Sequence, residues 1–104
     1  MSAILVIDDE PSARTFMKHT LKDHFLVYVC EDYDGATKLL TIISFDLILI
    51  DVALAESWGS DLVPKIRKGK QQGLIVLFSS LPEENLRKEA QLAMADGYIK
   101  KKLD

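Results

Sequence analysis

The chain of 104 residues has room for one domain, 1–104, with a substantial core and not for two. Its 48% hydrophobic and 28% charged residues are those of an ordinary globule, and a net charge of -3 argues against a nucleic-acid partner, which needs a concentrated basic face. Cys30 is the single cysteine, which excludes an internal disulfide or a zinc cluster of cysteines. No apolar run approaches the roughly 20 residues of a membrane span, and the start lacks a basic segment followed by a signal-like core. The expectation is a cytoplasmic protein that does not engage membranes.

In chain order, Ala3-Ile4-Leu5-Val6-Ile7 is an unbroken apolar run that ends in Asp8-Asp9. Runs of this length without alternation are strands buried on both faces, as in a parallel sheet. Glu10-Pro11-Ser12 then opens a helix, with Ala13, Phe16, Met17, Thr20 and Leu21 on the sheet side and Arg14, Lys18, His19 and Lys22 on the other. Phe25 to Cys30 is the second strand. The polar turn Glu31-Asp32-Tyr33-Asp34-Gly35 leads into a second helix carrying Ala36, Leu39, Leu40 and Ile43.

Leu47-Ile48-Leu49-Ile50 is the third strand, and it delivers Asp51 at its carboxyl end. A loop, Val52 to Gly59, reaches Ser60 as the expected N-cap of a third helix with Leu62, Val63 and Ile66 inward and Pro64 in its early turns. Leu74 to Phe78 is the fourth strand, ending in Ser79-Ser80. Ser80-Leu81-Pro82-Glu83 has the form of a capping box for a helix with Leu86, Ala90 and Ala93 inward. Tyr98 to Lys101 follow the turn Asp96-Gly97 as a short fifth strand. Strands alternating with helices, joined by right-handed crossovers, make a parallel sheet with helices on both faces.

In such sheets ligands bind at the carboxyl ends of the strands, where Asp8, Asp9 and Asp51 are expected to meet. Three carboxylates in one pocket carry too much negative charge to stand bare, and Mg²⁺ suits them because it accepts one or two carboxylates, waters and a phosphoryl oxygen. Ser79 adds a hydroxyl and Lys101 a positive charge. An aspartate with cation, hydroxyl and lysine converging on it is equipped to accept a phosphoryl group on its own carboxylate.

The stretches Ile4 to Pro11, Asp46 to Asp51, Val76 to Ser80 and Ala95 to Lys101, in this order and spacing, resemble the receiver domain of two-component response regulators over the whole chain. The resemblance implies a CheY-like, flavodoxin-like α/β fold: an open parallel five-stranded sheet of order 2-1-3-4-5 with helices on both faces. It implies Asp51 as phosphoacceptor, Asp9 as direct Mg²⁺ ligand, Asp8 as ligand through water, and the Ala53 backbone carbonyl completing the metal site. It also implies Ser79 as the switch hydroxyl, Tyr98 as the aromatic that follows it, and Lys101 as partner of a phosphoryl oxygen.

The implied activity is phosphoryl transfer from a histidine kinase or histidine phosphotransfer protein to Asp51, switching a surface for a downstream protein. Such a domain is not an enzyme beyond its own phosphorylation and dephosphorylation. The alternative is a degenerate receiver acting as a phosphorylation-independent interaction module. A flavin or nucleotide binder fits less well, because Asp8-Asp9-Glu10-Pro11 is no glycine-rich phosphate cradle.

Four departures from the family pattern stand out. Ala55 replaces the proline four residues after the acceptor, Met94 the glycine ending the fourth helix, and Lys102 the proline after the active-site lysine. The fifth helix that covers strands 1 and 5 is absent from this chain, so the expectation is either a sequence cut before that helix or an open face buried in a homodimer or against a partner. His19 and His24, without metal-spaced companions, read as surface residues. Lys100 and Lys102 read as part of a solvated tail, and Trp58 is left unassigned between the pocket mouth, a partner surface and simple loop cover.

Overall fold

Each of the expected apolar runs becomes a strand, and each amphipathic segment between them a helix. The structure, a computed structural model, describes residues 1–55, 57–69 and 71–101. β1 (Ala3–Ile7), β2 (Leu26–Cys30), β3 (Leu47–Asp51), β4 (Leu74–Ser79) and β5 (Gly97–Lys100) form one parallel sheet in the order β2-β1-β3-β4-β5. Between them run α1 (Pro11–Leu21), α2 (Tyr33–Leu40), α3 (Leu62–Lys68) and α4 (Glu83–Ala93). This is the expected flavodoxin-like topology, with no fifth helix among the described residues. Lys102, Glu56 of the loop after β3, and Lys70 lie outside the described residues.

The period-two geometry of a strand divides the buried runs between two cores. Ala3, Leu5 and Ile7 of β1, Ile48 and Ile50 of β3, and Ile75 and Leu77 of β4 face α2, α3 and α4. Ile4, Val6, Leu49 and Phe78 face the other way, toward Met17 and Leu21 of α1. The central strands are therefore apolar at every position because both of their faces are covered. Register follows: Ile7 stands opposite Ile50, Asp51 opposite Phe78, and Ser79 opposite Lys100.

α1 corrects the expected face in two places. Ala13, Met17 and Leu21, four residues apart, make a narrow stripe of half-buried contacts, whereas Phe16 is 67% exposed and Thr20 is exposed. Phe16 is one helical step off that stripe, so it flanks a groove of about 460 Å³ lined by Met17, Leu49, Phe78, Ile99 and Lys101. The exposed apolar surface expected on this half of the sheet includes Phe16, Leu74 and Ile99, while Ile4, Val6, Leu49 and Phe78 stay buried.

Two expected caps are also corrected. Ser60 does not cap α3; it lies in a 3-10 turn, Gly59–Asp61, and its buried hydroxyl donates to Glu89 Oε2 of α4 at 2.8 Å. The capping box at Ser80 does not form: α4 starts after Pro82 with no side-chain cap, and the nearby turn is closed instead by Leu81 N–H donating to Ser79 Oγ at 3.1 Å. A proline at the cap position holds an extended backbone that withdraws Ser80 from the helix end. Glu83 and Glu84 still occupy the first turn, as the helix dipole favours.

Met94 ends α4 at φ 61° and ψ 37°, the left-handed conformation that a glycine would adopt without strain, and a side chain there costs about 1–2 kcal/mol. Beyond it the turn is pinned by Asp96. Its carboxylate accepts the buried Ile75 N–H at 2.8 Å and pairs with Arg67, which also donates to the Gly73 carbonyl at 3.0 Å. The Ile75 N–H, then Arg67, hold the Asp96 carboxyl below the usual carboxylate range. This clamp joins α3, β4 and β5 at the end of the sheet opposite the aspartates.

Candidate functional site

Because β1 and β3 are adjacent and in register, the residues that follow Ile7 and Ile50 emerge side by side. Asp8 is fully buried: its N–H continues the sheet to the Cys30 carbonyl at 3.0 Å, and its Oδ1 accepts the Glu10 N–H at 3.0 Å. Asp51 is 7% exposed, with Oδ1 accepting the Ala53 N–H at 3.3 Å. Asp9 is half-buried at the start of the turn into α1. One carboxylate oxygen from each of Asp8, Asp9 and Asp51 lies within 4.8 Å of the others.

Lys101 enters this cluster from the edge of the sheet. Its N–H donates to the Ser79 carbonyl at 2.7 Å, and its Nζ is 3.3 Å from Asp8 Oδ2 and 3.4 Å from Asp51 Oδ2. The ammonium also lies 4.6 Å from the Phe78 ring centroid, so its aliphatic stem and that ring shelter each other. Lys100, the neighbouring candidate by sequence, points the other way, as alternation along a strand requires.

Gly59 shapes the far wall. Its N–H donates to the Val52 carbonyl at 2.6 Å, and a Cβ there would fall 1.9 Å from the Asp51 carbonyl oxygen. The loop can fold back against Asp51 only because that side chain is missing. An Ala53–Trp58 bridge closes the same loop, leaving Ala53 exposed and Trp58 48% exposed.

The remaining candidates sit near the cluster without touching it. Ser79 is 2% exposed, one residue beyond the partner of Asp51, and its Oγ accepts the Leu81 N–H. Tyr98 is half-buried, with its hydroxyl 3.3 Å from Glu83 Oε1. His19 and His24 are exposed, in keeping with a surface reading. Arg14 was not legible as a site residue: placed on the solvent side by helical spacing, it reaches back from the first turns of α1 to donate to the Asp8 carbonyl at 2.8 Å. The usable signal was its closeness to Asp8-Asp9, since a long side chain in the first turns of a helix can fold over the preceding strand end.

Charge and burial oppose each other here. Burial pushes the Asp51 carboxyl above its usual range, Lys101 pulls it down, and Asp8 pushes it up again, with a net upward shift. Burial and then Asp32 push the Cys30 thiol up to about 11, so this cysteine is a packed side chain and not a nucleophile. Three carboxylates against one ammonium leave an all-oxygen donor set with surplus negative charge, which fits a hard divalent cation such as Mg²⁺.

The family model for the response regulator receiver domain matches residues 4–104. The chain belongs to that family. Among solved structures, the response regulator TrrA from Thermotoga maritima, in complex with Mg²⁺-BeF, superposes with a TM-score of 0.83 at 28% identity, over 100% of this chain and 90% of that one. The chemotaxis protein CheY4 from Vibrio cholerae gives a TM-score of 0.90 at 25% identity, over 100% of this chain and 89% of that one. TrrA has also been solved in complex with the histidine kinase ThkA.

Among curated proteins, the transcriptional regulatory protein SrrA of Staphylococcus aureus is 32% identical over 99 residues, which are 94% of this chain and 41% of SrrA. The sensor histidine kinase TmoS of Ectopseudomonas mendocina is 28% identical over 100 residues, 94% of this chain and 10% of TmoS. The receiver thus spans well under half the length of these relatives. No helix among the described residues is long and apolar enough to cross a membrane.

The raised Asp51 carboxyl carries a stability cost with a definite sign. A group that binds its proton more tightly when folded sheds stability as pH rises from its ordinary value through the raised one, and the loss persists at neutral pH. Asp51→Asn removes that charge. Its Tm at neutral pH without divalent cations is expected to exceed that of wild type. The difference should shrink below about pH 4; an unchanged or lower Tm at neutral pH contradicts the account.

Proposed function

We propose that this receiver accepts a phosphoryl group on Asp51 from the phosphohistidine of a histidine kinase or phosphotransfer protein. The observation that carries the reading is the Lys101 ammonium lying between Asp8 and Asp51 in a cluster of three carboxylates. Family membership supports it, as do the Mg²⁺-BeF bound by TrrA and the TrrA complex with ThkA. An Asp51 oxygen attacks phosphorus as the P–N bond to the donor imidazole breaks, and the imidazole leaves with the bonding pair and takes up a proton.

Asp8, Asp9, Asp51 and the Ala53 carbonyl would hold Mg²⁺, with Asp8 acting through water. When bound, the ion would supply neutralisation of the phosphoryl oxygens. Lys101, already within ion-pair distance of Asp51, takes a phosphoryl oxygen as the transferred group arrives. Ser79, buried at the next strand end, turns its hydroxyl to the same group, and Tyr98 follows. The face around α4 and β5 then changes its affinity for a downstream protein.

The groove between α1 and β5 suits a second copy of this chain, because Phe16 and Ile99 expose 67% and 53% of their surface beside it. Sedimentation equilibrium is expected to show a dimer that Phe16→Lys dissociates. A monomer at high concentration would overturn the pairing without touching the phosphoacceptor reading.

Intact mass after incubation with Mg²⁺ and acetyl phosphate tests the principal reading. The wild type should gain one phosphoryl mass and Asp51→Asn none. No gain in the wild type would favour a phosphorylation-independent module, and a gain retained in Asp51→Asn would place the acceptor elsewhere.

A further inference from the structure

Lys100 lies outside the carboxylate cluster, on a strand next to a lysine that is inside it. Its Nζ donates to the Ser80 carbonyl at 3.2 Å and to the Leu81 carbonyl at 3.0 Å. These carbonyls belong to the two residues that follow Ser79, in the connection between β4 and α4. Tyr98, two residues earlier and so on the same face of β5, places its hydroxyl on Glu83 in the first turn of α4. The edge strand therefore grips the connection at two successive points, and within it Leu81 N–H closes onto Ser79 Oγ.

We infer that Lys100 is a restraint on the switch: it holds the connection after Ser79 in its resting arrangement and must let go when Ser79 engages the phosphoryl group. The inference rests on the phosphoacceptor reading above and adds to it the residue that sets the resting bias. The two carbonyls belong to the residues directly after Ser79, and the restraint requires that a shift of Ser79 toward Asp51 carry them away from the ammonium. Lys100 is exposed, and its ammonium is held by these two backbone carbonyls.

Two effects of removing this lysine have opposite signs. Loss of a positive charge near the pocket weakens binding of an anion there. Loss of a restraint present only at rest strengthens binding of any ligand that draws Ser79 inward, since the ligand no longer works against it.

The test is calorimetric titration of beryllofluoride, a phosphoryl mimic, in saturating Mg²⁺. Lys100→Met is expected to bind it about threefold to tenfold more tightly than wild type, the range for one or two exposed hydrogen bonds. Mg²⁺ affinity of Lys100→Met without beryllofluoride should not fall, since loss of a positive charge favours the cation, and Lys100→Arg, which can donate to both carbonyls, should remain close to wild type. Unchanged or weaker binding by Lys100→Met, with the wild type binding normally, overturns the restraint alone. Failure of the wild type to bind beryllofluoride removes the phosphoacceptor reading and the restraint with it.

Discussion

The whole site depends on an imbalance of charge that the fold enforces. Two carboxylates, Asp8 and Asp51, are almost completely withdrawn from water, a third, Asp9, stands within reach, and a single ammonium from Lys101 lies between the buried pair. Withdrawing carboxylates from solvent is costly unless they are paired, and one lysine cannot pair with three. The remaining negative charge is what fits the pocket to a divalent cation. The raised Asp51 carboxyl records first the cost of that burial, which Lys101 only partly offsets.

The sheet sets the geometry and the helices keep it dry. Parallel pairing of β1 with β3, and of β3 with β4, leaves Asp8, Asp51 and Ser79 no freedom to be anywhere but at neighbouring strand ends. Gly59 folds the following loop against Asp51, and Arg14 ties α1 to the backbone of Asp8. At the opposite end, Asp96 and Arg67 fix the strand starts. The working residues are thus held through backbone that has little slack, while the contacts of Ser60 and Tyr98 to α4, and of Lys100 to the connection before it, are side-chain hydrogen bonds that can be exchanged.

What the sequence made legible was whatever follows from burial on two faces. Ile4 to Ile7 and Leu47 to Ile50 have no reading other than central parallel strands, and the aspartates after them inherit their positions. What it concealed depended on long or polar side chains choosing among partners. Ser60 had the chemistry of a cap and became a link to Glu89; Ser80 matched a capping box that Pro82 pulled out of place; Arg14 and Lys100 looked solvated and are anchored to backbone carbonyls. Phe16 was misplaced by a single helical step, because the contact with the sheet is made by the narrow stripe of Ala13, Met17 and Leu21 alone.

The central claim, that the tips of β1 and β3 form one cation site, is tested most directly by calorimetric titration of the unphosphorylated chain with Mg²⁺. The account expects a single saturable site that Asp9→Asn and Asp51→Asn each abolish or greatly weaken, while Asp34→Asn, an exposed acid on α2, leaves it intact. Absence of Mg²⁺ binding, or binding indifferent to Asp9 and Asp51, would contradict it.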